Sequence, residues 1–124
     1  MGYDIHITRK PFYFDETGEE ISLDEWKEFV HQDSEMRLDN FAEFQMNNGQ
    51  ILHLESEGLA VWIAYSKHGL NTNMAWFSWS NGCIHVKNPD HEILKKMWRI
   101  AQRLSADVQG DEGEFYDVNG NVVE

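Results

Sequence analysis

Alternating apolar and polar residues near the start of the chain predict a β-strand with one buried face. Residues 3–8 read Tyr-Asp-Ile-His-Ile-Thr, so apolar side chains recur at every second position. Residues 12–14 read Phe-Tyr-Phe and are predicted to extend this strand or to re-enter the sheet. The polar residues 15–18 that follow, Asp-Glu-Thr-Gly, are typical of a turn.

A helix is predicted next, because residues 22–25, Ser-Leu-Asp-Glu, form a capping box. In this motif the serine hydroxyl and the glutamate carboxylate accept hydrogen bonds from free backbone N–H groups at the helix start. Leu23, Trp26 and Val30 then fall on one face of the helix. The acidic residues between them should point to water.

Antiparallel sheet is indicated from residue 41 onwards by three Asn-Gly pairs that lie between strand-like residues. The pairs 48–49, 81–82 and 119–120 each predict a two-residue type I′ hairpin, since Asn and Gly tolerate the positive φ angles that this turn requires. Residues 59–65 are apolar throughout and predict a central strand that is covered on both faces.

A second helix is predicted after the hairpin of residues 74–87, with Asn88 as its N-cap and Pro89 at its first helical position. Apolar residues recur along it at helical spacing and form a stripe that can pack on a sheet. This stripe consists of Ile93, Met97, Ile100 and Leu104. The basic residues predicted on the opposite side are Lys95, Lys96, Arg99 and Arg103.

Together these elements predict an α+β fold. It should contain a mostly antiparallel, twisted sheet, built as a meander of hairpins, and two helices. The longer, C-terminal helix should pack on one face of the sheet. Because the chain has no internal repeat and no linker rich in Pro, Gly or Ser, residues 1–124 are predicted to form a single domain.

An excess of acidic residues is the main compositional feature. The 124 residues include 22 Asp and Glu against 10 Lys and Arg, which gives a formal net charge of −12. Direct binding of nucleic acid needs a basic surface, so this class of function is excluded. The aromatic content of 13% also separates the chain from acidic disordered tails.

The expected compartment is the cytoplasm, and no membrane contact is predicted. No apolar run is long enough to cross a bilayer. The N-terminus leads directly into charged residues, which predicts that no signal peptide is present. Cys83 is the single cysteine, so the chain can form no internal disulfide, which suits a reducing compartment.

The acidic residues are most crowded in residues 15–28, which we call the acidic segment. Seven carboxylates and a single base, Lys27, lie within it. The predicted partner-binding carboxylates are those of Asp15, Glu16, Glu19, Glu20, Asp24, Glu25 and Glu28. Crowded like charges destabilise a folded chain, so we interpret this segment as an electrostatic docking face for a basic protein. A solvated acidic surface without a partner is the alternative.

Tryptophan supplies candidate anchors for such a contact. A domain of this size rarely buries five Trp side chains, and Trp is enriched at binding hot spots. Trp26 or Trp76 is predicted to be an exposed anchor, while most of the other Trp side chains should lie in the core. Residues 66–73 form a polar loop that could border the site.

Candidate catalytic residues are few. The six histidines form no HExxH motif and no i, i+4 pair, so neither a metal site nor a cofactor is predicted. Asp4 and His6 share one strand face and could act as a base and its orienting group. A small hydrolase-like enzyme that uses Asp4, His6 or His85 is therefore an alternative, although no nucleophile motif accompanies these residues. Cys83 is predicted to be a half-buried, unreactive thiol.

Three stretches of the chain resemble a family of small acidic bacterial proteins, most of them uncharacterised. They are MGYDIHITRK at residues 1–10, ISLDEW at residues 21–26 and VQGDEGE at residues 108–114. None of these stretches is a catalytic motif, so the resemblance implies no site residues. In size, acidity and predicted fold the chain is also loosely similar to immunity proteins, which neutralise bacterial toxins.

The expected function is therefore that of a non-catalytic acidic binding protein. Its closest functional model is an immunity-type inhibitor that docks on a basic partner such as a toxin or a nuclease. Besides the small enzyme, a DNA-mimic protein is an alternative. A DNA mimic would need carboxylates spaced like backbone phosphates along an elongated surface.

Overall fold

The computed structural model describes residues 3–70 and 74–123, which form two helices, a six-stranded sheet and a separate two-stranded sheet. The helices are α1 (Leu23–Gln32) and α2 (His91–Arg103). The strands are β1 (Asp4–Thr8), β2 (Met36–Leu38), β3 (Phe41–Gln45), β4 (Ile51–Glu55), β5 (Ala60–Trp62), β6 (Trp76–Ser80), β7 (Cys83–Lys87) and β8 (Asp107–Gly110). The predicted α+β class with a mostly antiparallel sheet and two helices is confirmed.

The main sheet has the strand order β2-β5-β6-β7-β1-β8, and its neighbouring strands are antiparallel. The longer helix, α2, lies against β1 and β8, as predicted. In β1 both faces are covered, so the prediction of a half-exposed strand is wrong. The apolar side chains of β1 join the hydrophobic core, and the polar side chains of His6 and Thr8 on its other face are buried too.

The three Asn-Gly turns differ in geometry. At the β6–β7 hairpin both Asn81 (φ 51°) and Gly82 (φ 76°) have positive φ angles, as a type I′ turn requires. At the other two pairs only the glycines, Gly49 and Gly120, have positive φ angles. Those two loops close as longer turns in which glycine takes the left-handed position, so the two-residue prediction holds at one pair and is wrong at two.

The strand predicted at residues 12–14 is absent, and the one predicted at residues 59–65 is shorter than expected. Residues 12–14 form a turn, which the backbone hydrogen bond from Asp15 N–H to Phe12 O (3.0 Å) closes, and the Tyr13 N–H bonds to the side chain of Gln109. In the apolar segment 59–65 only β5 is extended. The chain leaves the sheet at Ile63, whose side chain is exposed.

The start of α2 lies two residues later than predicted. Asp90 is the N-cap, and its carboxylate accepts a hydrogen bond from the N–H of Ile93 (2.9 Å). Asn88 instead adopts a left-handed conformation (φ 50°), and its side-chain oxygen accepts a hydrogen bond from the N–H of Tyr3 (2.8 Å). The predicted apolar stripe is buried along its whole length.

Lys96 is an exception to the predicted basic side of α2, because it is buried. Its side chain crosses the ring of Trp62, and its ammonium group lies 2.8 Å from a carboxylate oxygen of Asp33 and 3.0 Å from one of Glu35. The long aliphatic stem of lysine allows its charge to reach partners in this way. The two ion pairs of Lys96 thus join α2 to the chain at the end of α1.

Candidate functional site

The acidic segment comprises the loop before α1 and the solvent-facing side of α1. The capping box is present as predicted: Ser22 accepts a hydrogen bond from the N–H of Glu25, whose carboxylate accepts one from the N–H of Ser22. Asp24, Glu25 and Glu28 on the helix are exposed. In the loop the acidic residues are also exposed, except the half-buried Asp15.

Arg9 and Lys10 neutralise part of the acidic segment. The guanidinium group of Arg9 donates two hydrogen bonds to the carboxylate of Glu25 (3.0 and 2.8 Å) and lies 3.7 Å from Glu19. These hydrogen bonds from Arg9 lower the pKa of Glu25 to about 2. The ammonium group of Lys10 lies 3.5 Å from Glu20. Three of the seven carboxylates therefore meet their counter-charge within the protein.

The remaining exposed carboxylates of the segment have no such partner. Glu16, Asp24 and Glu28 form no ion pair with any residue in the described ranges. Glu28 accepts a neutral hydrogen bond from Gln32 (2.7 Å). These three groups thus keep their charge towards solvent, where it can attract a cationic surface.

A pocket of about 480 Å³ lies beside the loop of the acidic segment. Glu16 and Glu20 line its acidic side, and Phe14 contributes an aromatic ring that is 63% exposed. His85 and Ser80 of the main sheet form part of its wall. Lys10 also lines the pocket and neutralises Glu20, so the uncompensated exposed charge there is that of Glu16. This carboxylate and the exposed aromatic ring suit a cationic side chain.

A buried polar cluster lies next to this pocket. The ring of His6 is only 3% exposed and stacks on Tyr13 at a centroid distance of 3.6 Å. Its Nε2 atom lies 2.8 Å from Asp111 Oδ1, and its Nδ1 atom lies 2.7 Å from Nδ1 of His85. The pairing of β1 with β7 places the two histidines opposite each other, in register. The cluster thus ties β1, β7 and the chain after β8 together.

The hydrogen bonds of this cluster determine how many protons it holds. The contacts Asp111–His6, His6–His85 and His85–Ser80 O (3.1 Å) each need one proton. Two neutral imidazole rings carry only two, so the complete set needs one additional proton. Burial lowers the pKa of His85, which favours the neutral ring there.

This geometry bears on the enzyme alternative. Two of its candidate residues, His6 and His85, do converge, but the structure pairs His6 with Asp111 and not with the side chain of Asp4. Each ring nitrogen of the two histidines already has a hydrogen-bond partner, so neither presents a free base to the pocket. Cys83 is fully buried, not half-buried as predicted. The arrangement favours a structural role for the histidine pair.

Trp26 is not an exposed anchor, and this prediction is wrong. Its side chain is 0% exposed, and its indole N–H donates a hydrogen bond to Gly58 O (2.7 Å). Val30, one helical turn further on, is also buried, so both residues lie on the inward face of α1. Trp76 is half-buried and lies in another groove, next to Glu43 and Ile51. None of the residues that line this groove belongs to the acidic segment.

Other predicted features can be placed only in part. The polar loop is exposed over most of residues 66–70, and its residues 71–73 lie outside the described residues. Within the described ranges, no group of three or more His, Cys, Asp or Glu side chains is arranged to hold a metal ion. Neither of the two helices described is long and apolar enough to span a membrane.

Comparison of the chain with protein-family models, curated proteins and solved structures gave no match. The functional conclusion therefore depends on the geometry and the charge of the surface.

Proposed function

We propose that this protein is a non-catalytic binding protein whose acidic segment docks on a basic protein partner. The observation that carries the proposal is the set of three exposed carboxylates, Glu16, Asp24 and Glu28, without a counter-charge among the described residues. Uncompensated charge of one sign on a folded surface costs stability through repulsion. A cationic partner would remove this cost on binding.

The internal ion pairs support the proposal, because they hold the segment in one shape. Arg9 donates hydrogen bonds to Leu104 O (2.8 Å) and to Glu20 O (3.0 Å), in addition to its contacts with Glu25. The loop and the start of α1 are thus fastened to the end of α2. A preorganised surface loses less conformational entropy when it binds.

The partner class that fits best is a basic toxin such as a nuclease, and the protein would then act as an immunity-type inhibitor. A substrate channel for nucleic acid is positively charged, so carboxylates can block it. This proposal includes a cytoplasmic location and a bacterial origin, in line with the resemblance to small acidic bacterial proteins. The anchor at this surface would be Phe14 at the pocket, because Trp26 is buried.

The DNA-mimic alternative stays a prediction. A mimic would present an unbroken row of carboxylates, whereas the ion pairs of Arg9 and Lys10 interrupt the row in the acidic segment. A localised docking face is thus the better description of this surface.

A pull-down from cells that express the tagged protein tests the proposal. The double variant Glu16→Gln/Glu28→Gln removes two of the exposed charges and leaves Asp24, which supports the first turn of α1. The variant Asp107→Asn/Glu112→Gln removes two exposed charges elsewhere and serves as the matched control. Wild type and control should recover a basic protein at low salt. The variant Glu16→Gln/Glu28→Gln, which we call the acidic-segment variant, should recover at least about tenfold less of it.

The recovered partner is then purified, and its dissociation constant is measured at increasing salt. Steep weakening with salt is expected, since exposed charges are screened over about 10 Å at ~0.1 M salt. The proposal is overturned if affinity does not depend on salt, if both variants bind alike, or if no basic protein is recovered. Loss of toxin inhibition in the acidic-segment variant alone would support the immunity role.

A further inference from the structure

The hairpin of β3 and β4 stands apart from the main sheet. Its two strands pair only with each other among the described strands. All five residues of β4 are exposed, and Ile51 reaches 64% exposure. An isolated two-stranded sheet is marginally stable in water, so such a hairpin gains from the addition of a further strand.

No residue that the structure describes pairs with the outer edge of the β4 backbone. Hydrogen bonds from Met46 N to Gln50 O (2.7 Å) and from Ser56 N to Asn40 O (2.9 Å) mark bonded pairs at both ends of the hairpin. Along two antiparallel strands, residue pairs that exchange backbone hydrogen bonds alternate with pairs that do not. Opposite β3, the non-bonded positions of β4 are therefore Ile51, His53 and Glu55. Their N–H and C=O groups point away from β3, towards solvent.

The two faces of the hairpin differ in chemistry. One face carries Glu43, His53 and Glu55 together with the exposed side chain of Ile51. The imidazole of His53 lies 3.0 Å from the carboxylate of Glu43 and 2.9 Å from that of Glu55. These hydrogen bonds, first that of Glu43 and then that of Glu55, raise the pKa of His53. The other face of β4 carries the exposed apolar side chains of Leu52 and Leu54. An added strand would thus meet two carboxylates beside Ile51 on one face and leucines on the other.

A groove continues the charged face of the hairpin towards the main sheet. Its volume is about 550 Å³, and Glu43 and Ile51 line it together with Met74 and Trp76. Trp76 is half-buried there, so part of its ring is available to a bound side chain. A flat aromatic ring beside a carboxylate is a good receptor for lysine or arginine.

We propose that the outer edge of β4 binds an extended segment of a partner protein in which lysine or arginine alternates with apolar residues. Backbone hydrogen bonds with Ile51, His53 and Glu55 would add the segment as a third strand, a common mode of peptide recognition. Its basic side chains would face Glu43 and Glu55, and its apolar ones would cover Leu52 and Leu54. This surface is separate from the acidic segment, so the inference goes beyond the proposed function and does not depend on it.

A second copy of the chain fits the same edge less well. Antiparallel pairing of two β4 strands about His53 would bring the carboxylates Glu43 and Glu55 of both copies together on one face. Each chain also has a net charge of −12, which opposes self-association. The cationic, amphipathic strand is therefore the occupant that the charges favour.

Titration of the whole protein with a short peptide of alternating Lys and Val tests the inference. A peptide of the same composition, with its Lys and Val residues in two separate blocks, is the control. The N–H of His53 points away from β3, so the variant His53→Pro removes one outward donor without breaking a hydrogen bond to β3. Proline is tolerated at an open strand edge. The variant His53→Ala loses the same ring and keeps the N–H group.

Wild type and His53→Ala should bind the alternating peptide, and His53→Pro should bind it at least about tenfold more weakly. Hydrogen exchange should slow at the amides of Ile51 and His53 when the peptide is bound to wild type. The double variant Glu43→Gln/Glu55→Gln should also bind more weakly, which provides a test that does not need the proline variant to fold. The acidic-segment variant Glu16→Gln/Glu28→Gln should bind the peptide like wild type.

Five outcomes overturn the inference, and the first four concern β4 itself. They are no binding of the alternating peptide, equal binding of the block peptide, unchanged affinity in a folded His53→Pro variant, and dimerisation of the free protein through β4. Loss of peptide binding in the acidic-segment variant would also contradict it, because the peptide would then bind the other surface. Failure of the pull-down above leaves this result unaffected, so the two proposals fail separately.

Discussion

The side chains of His6, His85 and Asp111 show how burial determines the state of individual groups. Burial disfavours the charged form of Asp111, but hydrogen bonds from the Asp4 N–H and from His6 outweigh burial and lower the pKa of this carboxyl. Burial lowers the pKa of His85. The two lowered pKa values favour a charged carboxylate at Asp111 and a neutral imidazole at His85.

This arrangement predicts a pH dependence of stability. The pKa of His85 is lowered in the folded protein, so below its ordinary value of 6.5 the unfolded chain binds more protons than the folded one. The free energy of unfolding should therefore decrease as pH falls from about 6.5 towards the lowered pKa of His85. Urea unfolding above and below this range should show a smaller decrease for His85→Asn than for wild type. Equal decreases in both proteins would contradict the assignment of a neutral His85.

At the scale of elements, the helix ends illustrate how polar residues near a boundary compete for the capping position. Asp90 is the N-cap of α2 and also accepts a hydrogen bond from the hydroxyl of Tyr65 (2.6 Å). Asn88 is equally suited to capping by residue type, but it is used to fasten the N–H of Tyr3. The end of β7 and the start of α2 thus share one short connection, and the tertiary contact decides which residue caps.

The capping assignment predicts the effect of replacing Asp90. Asp90→Ala should lower the free energy of unfolding by about 1–2 kcal/mol, because the N–H of Ile93 and the Tyr65 hydroxyl both lose an acceptor. Asp90→Asn keeps a side-chain oxygen at the N-cap and should lose less than half as much. Urea denaturation of the three proteins gives both values. A larger loss for Asn than for Ala would exclude a capping role.

At the scale of the whole molecule, charge is the dominant feature. A net charge of −12 on 124 residues opposes folding through repulsion, and the ion pairs of Arg9, Lys10 and Lys96 relieve only part of it. The uncompensated carboxylates of the acidic segment lie on the surface, where salt screens them, and in the β3–β4 hairpin Glu43 and Glu55 share one histidine, His53. Both proposed contacts would supply positive charge to these regions.

Moderate salt should therefore raise the thermal stability of the free protein. Between about 20 mM and about 200 mM KCl, screening of like charges is expected to increase the unfolding temperature by a few degrees. The variant Glu16→Gln/Glu28→Gln has less repulsion to screen, so its increase should be smaller. The melting curves can be followed by circular dichroism. A decrease with salt would mean that attractive ion pairs dominate the stability.

Features that depend on neighbouring residues follow from the sequence by itself. The capping box of α1, the apolar stripe of α2 and the type I′ turn at residues 81–82 are all predicted, since helical spacing and the φ preferences of Asn and Gly act locally. The α+β class follows from these elements. The excess of acidic residues is likewise present in the sequence before any fold is considered.

The tertiary structure alone decides which of these residues are free to bind. Asp111 and His6 are 105 positions apart, and strand pairing brings them together. Trp26 is buried because its helix face turns inward, and Arg9 neutralises carboxylates that look free in the sequence. Burial and long-range pairing depend on how whole elements pack, and no local pattern contains that information.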